Sequence, residues 1–354
     1  MGSVLSLFSG SLASRVAARL IERHPDLECL SLVHFRSPFS WEIDDLRLLV
    51  RDEWPGIPFR TQSLKRDYRR LVVPNGSFRL AENCYVCRSQ MLGRAARFME
   101  RTGADFIVTG EMVGQHGVSA DDLRRMEQEL GIEGRVSRPL CLDAEMLLTG
   151  DLREWLRAFD TVTDPDSCRE RLQALAEFLG LDPADPMSCA RRCKMMMPGF
   201  GDRVVNLFSE DGFTLNALRL LDFEIYYKVH PDIKIVVART EQEKRDLQNL
   251  MLPQDLRVYP STPHGPMTLV RAEWGTRSLA KCAEIIELAA RITATHTERN
   301  GDGTVAIPVY HRFENQDETL LVNARPFDSL EQIACLEMVE VYPHVEVVQE
   351  VSSG

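Results

Sequence analysis

The sequence predicts an α/β protein, in which a parallel sheet forms the N-terminal part and a smaller α+β domain follows it. The first observation is the apolar run at residues 4–8, which passes through a small-residue turn at 9–14 into an amphipathic segment at 15–19. The second is that β-like and helical segments alternate up to about residue 140, which favours a parallel sheet with helices on both faces. The third is the length of 354 residues, which is enough for two domains of ordinary size.

The composition indicates a globular protein and argues against membrane and secreted classes. The chain is 44% hydrophobic and 27% charged, which is typical of a globular protein, and it has no apolar run long enough to span a bilayer. The opening apolar run has no basic flank and is interrupted at Ser9-Gly10, which argues against a signal peptide. Nine cysteines in such a chain favour reduced thiols over a disulfide framework. We therefore expect a cytoplasmic protein without a membrane segment.

The net charge limits the partners. A formal charge of -11 opposes binding to nucleic acid unless a local positive field meets the phosphates. The candidate basic segments are residues 60–70, with Lys65, Arg66 and Arg69, and residues 88–101, with Arg94 and Arg97. The alternative is that both segments are ordinary solvated faces.

The N-terminal elements are predicted in chain order from apolar periodicity and turn residues. After the opening unit, the predicted strands are residues 27–35, 57–62, 106–108 and 138–140. The predicted helices are residues 43–53, 88–101 and 121–130, with a helical pattern again at 143–181. In an open parallel sheet the ligand lies at the carboxyl ends of the strands. The turn at 9–14, His34 and the segment 109–111 are therefore expected to converge there.

The turn at residues 9–14 carries phosphate-binding chemistry. Free backbone N–H groups at a helix N-terminus favour a phosphate, Gly10 permits close backbone approach, and the hydroxyls of Ser9, Ser11 and Ser14 can donate. The alternative is the ordinary first βα unit of any α/β domain. The six residues Ser-Gly-Ser-Leu-Ala-Ser resemble the S-G-G-x-D-S loop of the PP-loop (N-type) ATP pyrophosphatases. Ser11 replaces the second glycine of that loop, and Ala13 replaces the aspartate that is expected to assist Mg²⁺.

A C-x-x-C pair, Cys84 and Cys87, precedes the predicted helix at 88–101. At a helix N-terminus the dipole favours thiolate over thiol. Taken alone, the pair is compatible with half a zinc site, a redox dithiol, two ligands of an iron-sulfur cluster, or two ordinary buried cysteines.

Four further segments extend the resemblance to PP-loop proteins related to tRNA 4-thiouridine synthase and tRNA 2-thiouridylase. In order, they are residues 34–39, 83–87, 103–111 with Gly114-Gln115, and 138–140. The resemblance implies that Cys84 and Cys87 carry sulfur or a cluster, and that Thr109 and Gly110, together with His34 and Glu111, hold ATP. The proline expected before the first cysteine is absent, because Asn83 directly precedes Cys84.

A later segment, Cys189 to Phe200, matches a further part of these relatives at its cysteine, proline and phenylalanine positions. The resemblance implies that Cys193 is the third thiol beside Cys84 and Cys87 in a [4Fe-4S] cluster with one open iron. The alternative is that Cys189, Cys193 and the three methionines at 195–197 fill an irregular core. The other cysteines are expected to be core or incidental residues: Cys29, Cys141, Cys168, Cys282 and Cys335.

The two aspartate-proline pairs at residues 182–186 mark the predicted domain boundary, with a nucleotide-binding domain at 1–181 and a substrate-placement domain at 182–354. The second domain is predicted to contain strands at 232–238, 305–308 and 319–324 and helices at 239–250 and 278–293, with Ser278 as the N-cap of the last helix.

Two classes of function follow. The first is ATP-dependent sulfur transfer to tRNA, in which a base adenylate reacts with sulfur supplied by sulfide or by a donor protein. The second is a degenerate relative that keeps nucleotide or cluster binding and acts as a partner protein, which Ser11, Ala13 and the acidic charge favour. A third hypothesis, thiolation or adenylation of a small molecule, agrees better with the acidic charge.

Overall fold

The computed structural model divides the chain into two units, Met1–Met196 and Met197–Gly354. The boundary predicted from the sequence, after residue 181, lies before this division. The structure describes these residues: 2–40, 46–64, 80–141, 165–184, 193–197, 199–209, 213–229, 232–262, 264–297, 305–336 and 339–341.

The first unit is built on a five-stranded, all-parallel sheet with the order β3-β2-β1-β4-β5. Its strands are β1 (Ser3–Leu7), β2 (Cys29–Arg36), β3 (Phe59–Ser63), β4 (Phe106–Val108) and β5 (Val136–Ser137). Its helices are α1 (Leu12–Glu22), α2 (Leu46–Glu53), α3 (Leu80–Thr102), α4 (Ala120–Leu130) and α5 (Pro165–Phe178), with short 3-10 turns at Gln115–Gly117 and Lys194–Met196. This arrangement confirms the predicted α/β class.

Helix α1 is buried on nearly its whole circumference, because the sheet lies on one side and α5 packs on the other. Arg15 is only 2% exposed, and its guanidinium forms an ion pair with Glu53 of α2 and donates to the carbonyl of Ala184 at 2.9 Å. A buried cation needs such partners, since leaving it unpaired costs several kcal/mol. The start of α1 is thereby held firmly at the end of β1.

The predicted bounds of two elements were wrong. Helix α3 begins at Leu80 rather than near Arg88, so Cys84 and Cys87 lie in its second turn and not at its N-terminus. The N-terminal dipole acts mainly over the first turn, which removes the argument for thiolate stabilisation by the helix end. Strand β5 lies at Val136–Ser137 rather than at 138–140, since Pro139 has no N–H to donate to a ladder.

The second unit contains a seven-stranded sheet with the order β11-β10-β8-β9-β7-β6-β12, whose neighbours are all antiparallel. The strands are β6 (Ile225–Val229), β7 (Ile233–Ala238), β8 (Leu256–Pro260), β9 (Met267–Arg271), β10 (Ile307–Phe313), β11 (Leu320–Ala324) and β12 (Val339–Val341). The helices are α6 (Phe200–Ser209), α7 (Leu215–Leu220), α8 (Glu241–Gln248), α9 (Leu279–Thr295) and α10 (Leu330–Ala334), with a 3-10 turn at Trp274–Thr276. The sequence analysis did not predict β6, β8, β9 or β12.

Helix α9 supplies the main apolar face against this sheet, through residues such as Ile285, Ala289 and Ile292. Ser278 caps the helix as predicted, accepting a hydrogen bond from the N–H of Lys281. The hydroxyl of Thr293 donates to that of Thr268 on β9 at 2.8 Å, so this buried polar pair is satisfied.

Several predicted features lie outside the described residues: Lys65, Arg66, Arg69, the helical pattern before residue 165, Cys189 and the side chain of Cys168. Within the described part of the chain, the helices lack either the length or the apolar character that crossing a membrane requires.

His311 makes the second unit sensitive to acid. The side chain is 7% exposed, lies between Val258 and Leu320 in the strand register, and has a buried Nδ1 without a partner among the described residues. Burial lowers the pKa of His311 below its ordinary value of 6.5. Below pH 6.5 the unfolded chain therefore binds a proton that the folded chain resists, and stability falls as the pH falls.

We expect His311→Leu to reduce the loss of unfolding free energy between pH 7 and pH 5, as measured by urea unfolding at each pH. The control is His264→Asn, which replaces a histidine whose side chain is 89% exposed. An unchanged pH dependence in His311→Leu would contradict the assignment.

Candidate functional site

A cavity of about 280 Å³ lies at the carboxyl ends of the parallel strands of the first unit. It brings together side chains that the sequence analysis selected separately. Those that line it are Ser9, Ser11, Ser14, His34, Cys84, Cys87, Thr109, Gly110, Glu111 and Cys193. Gly10 does not line the cavity, but it forms the turn between Ser9 and Ser11 with φ +78°, a conformation that favours glycine.

The strand order explains this convergence. Strand β1 lies at the centre of the sheet. The chain adds β2 and then β3 on one side of it, and afterwards β4 and β5 on the other side. Such a reversal leaves a crevice at the carboxyl ends of the two central strands, where α/β proteins bind ligands. The turn at 9–14 follows β1 and the segment at 109–111 follows β4, so both border this crevice.

The serine turn is held by its own hydroxyl groups. Ser11 is the N-cap of α1, and its Oγ accepts from the N–H of Ser14 at 3.4 Å. The Ser14 hydroxyl donates to the Ser11 carbonyl at 2.9 Å, and the Oγ atoms of Ser9 and Ser11 are 2.9 Å apart. The turn is therefore preorganised at a helix N-terminus, the backbone arrangement that attracts phosphate groups.

Gly110 packs against the backbone of this turn. A Cβ atom added at Gly110 would lie 2.6 Å from the backbone carbonyl group of Ala13 and 2.6 Å from the N atom of Ser14. Only glycine permits this approach, so the exit of β4 closes directly onto the first turn of α1.

His34 supports the turn from β2. Its Nδ1–H donates to the carbonyl of Phe8 at 3.0 Å, which orients the ring toward the end of β1. The sequence analysis predicted a nucleotide contact at His34. The hydrogen bond itself ties β2 to the residue that follows β1, just before the turn.

Glu111 is a partly buried carboxylate, 16% exposed, between two arginines. The Arg138 Nε donates to it at 3.1 Å, and the Arg88 Nε lies 3.7 Å away. The hydroxyl of Thr109 also donates to Glu111, at 3.1 Å. Burial acts to lower the pKa of Arg138, but the carboxylates of Glu111 and Glu127 outweigh it and raise that pKa above its ordinary value. The Arg138 guanidinium is therefore held in its charged form beside these two carboxylates.

One face of α3 lines the cavity with Asn83, Cys84, Cys87, Arg88 and Met91. The spacing of four residues places Cys84 above Arg88 on the helix surface. Arg88 is 8% exposed, and its Nη2 donates to the carbonyl oxygen and Oε1 of Gln115 at 3.2 and 3.3 Å. Its Nη1 is buried and has no hydrogen-bond partner among the described residues, and the same is true of Oδ1 of Asn83. Two buried polar atoms of this helix thus lack a hydrogen-bond partner among the described residues.

Cys193 reaches the cavity through a short backbone pairing. Residues Ser40 and Cys193 form an isolated antiparallel bridge, and the N–H of Lys194 donates to the carbonyl of Phe39 at 2.8 Å. Met195 and Met196 follow on the cavity wall. A segment far from α3 in sequence thereby brings a third thiol to the same cavity.

The three thiols fit an iron-sulfur cluster in donor type and number. Among the described residues, no group of three or more His, Cys, Asp or Glu side chains is arranged to hold a single metal ion. A [4Fe-4S] cluster differs, because its thiolate ligands bind different irons. For ATP, the fit depends on the turn at α1, which offers hydroxyl and backbone groups, whereas Ala13 supplies no carboxylate for Mg²⁺.

Sequence reasoning missed the wall residues Asn83, Arg88 and Met91, whereas Cys141 was expected to be a core or incidental residue. Cys141 is buried, and its thiol donates to the carbonyl of Glu111 at 3.4 Å. The spacing from Asn83 to Met91 carries the signal that was missed, since all these positions share one helix face once the helix is extended to Leu80.

We expect Gly110→Ala to destabilise the first unit by about 1–3 kcal/mol, the usual cost of overpacking, because the added methyl group meets backbone that cannot rotate away. Urea unfolding measures the change. Gly275→Ala is the control, since a Cβ at Gly275 meets nothing within 4 Å. Equal stability of the two variants would contradict the close contact.

Comparison with protein families finds a model described as the NFACT protein RNA binding domain, which matches residues 226–332. These residues belong to the second unit and make up less than half of the chain. Comparison with curated proteins finds no match.

Three solved structures are similar to this chain at low TM-scores. A predicted subunit of tRNA methyltransferase from Methanocaldococcus jannaschii is 12% identical, with 51% of this chain and 90% of that chain covered and a TM-score of 0.27. The U34-tRNA thiolase NcsA from Methanococcus maripaludis, solved with its [4Fe-4S] cluster, is 18% identical, with coverage of 63% and 70% and a TM-score of 0.28. The C-terminal part of the fibronectin/fibrinogen-binding protein from Streptococcus suis is 10% identical, with coverage of 70% and 89% and a TM-score of 0.25. Similarity at this level assigns no activity to the chain.

Proposed function

We propose that this protein uses ATP to replace a carbonyl oxygen of an RNA base, in tRNA, with sulfur. The observation that carries the proposal is a single cavity lined both by the serine turn at the start of α1 and by the thiols of Cys84, Cys87 and Cys193. Phosphate chemistry and sulfur chemistry require different groups, and this cavity has both.

The first step needs ATP because an amide-like carbonyl is a poor electrophile. The base oxygen attacks the α-phosphorus of ATP, and pyrophosphate leaves. Ser9, Ser11 and Ser14 and the backbone N–H groups of α1 would hold the phosphates. Gly110 and Thr109 border the same turn on the β4 side. Ala13 leaves the turn without a carboxylate, so Mg²⁺ would reach the site with the nucleotide.

The second step needs a sulfur nucleophile. Hydrosulfide forms the C–S bond as the C–O bond breaks, and AMP leaves with the oxygen, so that no oxidant or reductant is needed. Cys84, Cys87 and Cys193 would hold a [4Fe-4S] cluster, which when bound supplies an open iron site for sulfide. Arg88 Nη1 and Asn83 Oδ1 would bind polar atoms of the substrate, since both are buried without a described partner.

RNA as the substrate is supported by the second unit. Residues 226–332 match a model described as an RNA binding domain, and these residues contain β6 to β11 and α9. The second unit would hold the RNA while the first performs the chemistry.

A second candidate is a nucleotide- or cluster-binding partner protein without turnover. Ala13 favours it, because the turn has no carboxylate, and so do the mutual hydrogen bonds of Ser9, Ser11 and Ser14, which already satisfy the hydroxyls. In this case ATP would bind and remain intact.

We expect the protein, kept anaerobic, to release pyrophosphate and AMP from ATP when unfractionated tRNA and sulfide are both present. The measurement is pyrophosphate release together with thionucleoside analysis of the digested tRNA. ATP binding without pyrophosphate would favour the partner protein. Pyrophosphate release that does not depend on RNA would favour a small-molecule substrate.

We expect Cys84→Ser, Cys87→Ser and Cys193→Ser to reduce thionucleoside formation to background while leaving ATP binding intact. Iron, sulfide and zinc analysis and the visible spectrum of the anaerobic protein report whether the same variants lose a cluster. The matched control is Cys29→Ser, an exposed cysteine at the amino end of β2. Full activity of the cavity variants would exclude a role for these thiols.

A further inference from the structure

The first unit has a second recess, separate from the cavity that the thiols line, and its charged lining residues are arginines. It is a groove of about 530 Å³, here called the arginine groove, formed by α2, β3 and the last turns of α3. Its lining residues are Arg47, Phe59, Arg60, Thr61, Gln62, Phe98, Arg101 and Thr102. No acidic residue is among these described lining residues.

Three cations from three elements meet in this groove. Arg47, Arg60 and Arg101 are all exposed, and none of them forms an ion pair with a carboxylate in the part of the chain that the structure describes. Elsewhere in the first unit, arginines such as Arg51 and Arg124 pair with neighbouring acids. Three cations that lack a carboxylate partner among the described residues are unexpected in a chain of net charge -11, because mutual repulsion opposes them unless an anion is bound.

The groove also fixes two of its cations. The guanidinium carbons of Arg60 and Arg101 lie 5.6 and 5.5 Å from the centre of the Phe98 ring, which is 6% exposed. Cation–π contact with one buried ring holds both groups while their N–H donors remain available. Arginines oriented in this way suit phosphate oxygens, which they bind with two parallel hydrogen bonds.

The sequence that follows β3 is rich in basic residues. Arg60 lies on β3, the edge strand of the sheet, and Lys65, Arg66, Arg69 and Arg70 follow directly after it in the sequence. In the second unit, acidic residues outnumber basic ones, so cations of the first unit would add phosphate contacts that the net charge of the second unit does not favour.

We propose that the arginine groove binds the phosphodiester backbone of RNA. The inference rests on the proposed function, since it takes RNA as the substrate. The phosphates contact Arg47, Arg60 and Arg101, and the polar side chains Thr61, Gln62 and Thr102 offer hydrogen bonds to the sugar-phosphate chain. The contacts position the RNA without reading its sequence.

The test measures binding of fluorescently labelled, unfractionated tRNA to the full-length chain by anisotropy, without ATP or sulfide, over a range of salt concentrations. The variant is Arg47→Gln with Arg60→Gln and Arg101→Gln. We expect affinity to fall at least about tenfold and the slope of log K against log[salt] to fall by about two to three, because each arginine releases close to one counterion.

The control is Arg51→Gln with Arg124→Gln and Arg125→Gln, which removes the same charge from exposed positions of the first unit outside the groove. It should bind tRNA as the unaltered protein does, with an unchanged slope. Arg60→Lys with Arg101→Lys should keep most of the affinity, since the charge remains. Thermal unfolding of each variant checks that the fold is intact.

Unchanged tRNA affinity and slope in the groove variant would overturn the inference. So would displacement of the tRNA by polyglutamate as effective as displacement by unlabelled RNA, because the groove would then suit an acidic protein. Failure of the sulfur chemistry is a separate result: the unaltered protein would form no thionucleoside while the groove variant still lost RNA binding.

Discussion

The candidate site depends on one backbone contact, between Gly110 and the first turn of α1. It joins the exits of β1 and β4, which are neighbours in the sheet although about a hundred residues separate them. Because a side chain at Gly110 would meet the backbone of Ala13 and Ser14 at 2.6 Å, the crevice at the strand ends is narrow on this side and opens toward α3. The serine turn therefore faces the wall that carries the thiols.

The second constraint is the charge arrangement around Glu111. Its carboxylate is partly buried with Arg138 on one side and Arg88 on the other, so it links the exit of β4 to the end of β5 and to α3. Removing either arginine would leave a partly buried charge without its full set of partners, which is costly. Glu111 was expected to contact the nucleotide, and it lines the cavity; the geometry adds that it lies 3.7 Å from the Nε of Arg88.

The elements that could be predicted were those marked by a short sequence pattern of their own. The Ser278 cap, the β1 turn and β4 at Phe106–Val108 follow from single apolar runs beside capping or turn residues. The start of α3 was missed because the turn signals at Pro74 and Gly76 were extended too far, although Leu80 and Ala81 are good helix formers. Strands β6 and β9 are buried on both faces in most positions, so they lack the clear alternation that distinguishes a strand from a helix. Strand β8 does alternate in burial, but it has only five residues and ends in a proline. Cys193 joins the site through a backbone bridge to Ser40, which no local pattern indicates.

The corrected start of α3 changes the chemical argument for the thiols. At a helix N-terminus, Cys84 and Cys87 would be influenced by the free N–H groups of the first turn. In the second turn those groups are replaced by intrahelical hydrogen bonds, and the nearest fixed positive charge on the same helix face is Arg88, one turn after Cys84. Arg88 contacts Glu111 and Gln115 through two of its nitrogens, and both residues lie in the segment that follows β4. The same segment closes onto the serine turn through Gly110. The helix face that carries the thiols and the serine turn are therefore held by one stretch of chain, which is why they belong to one site.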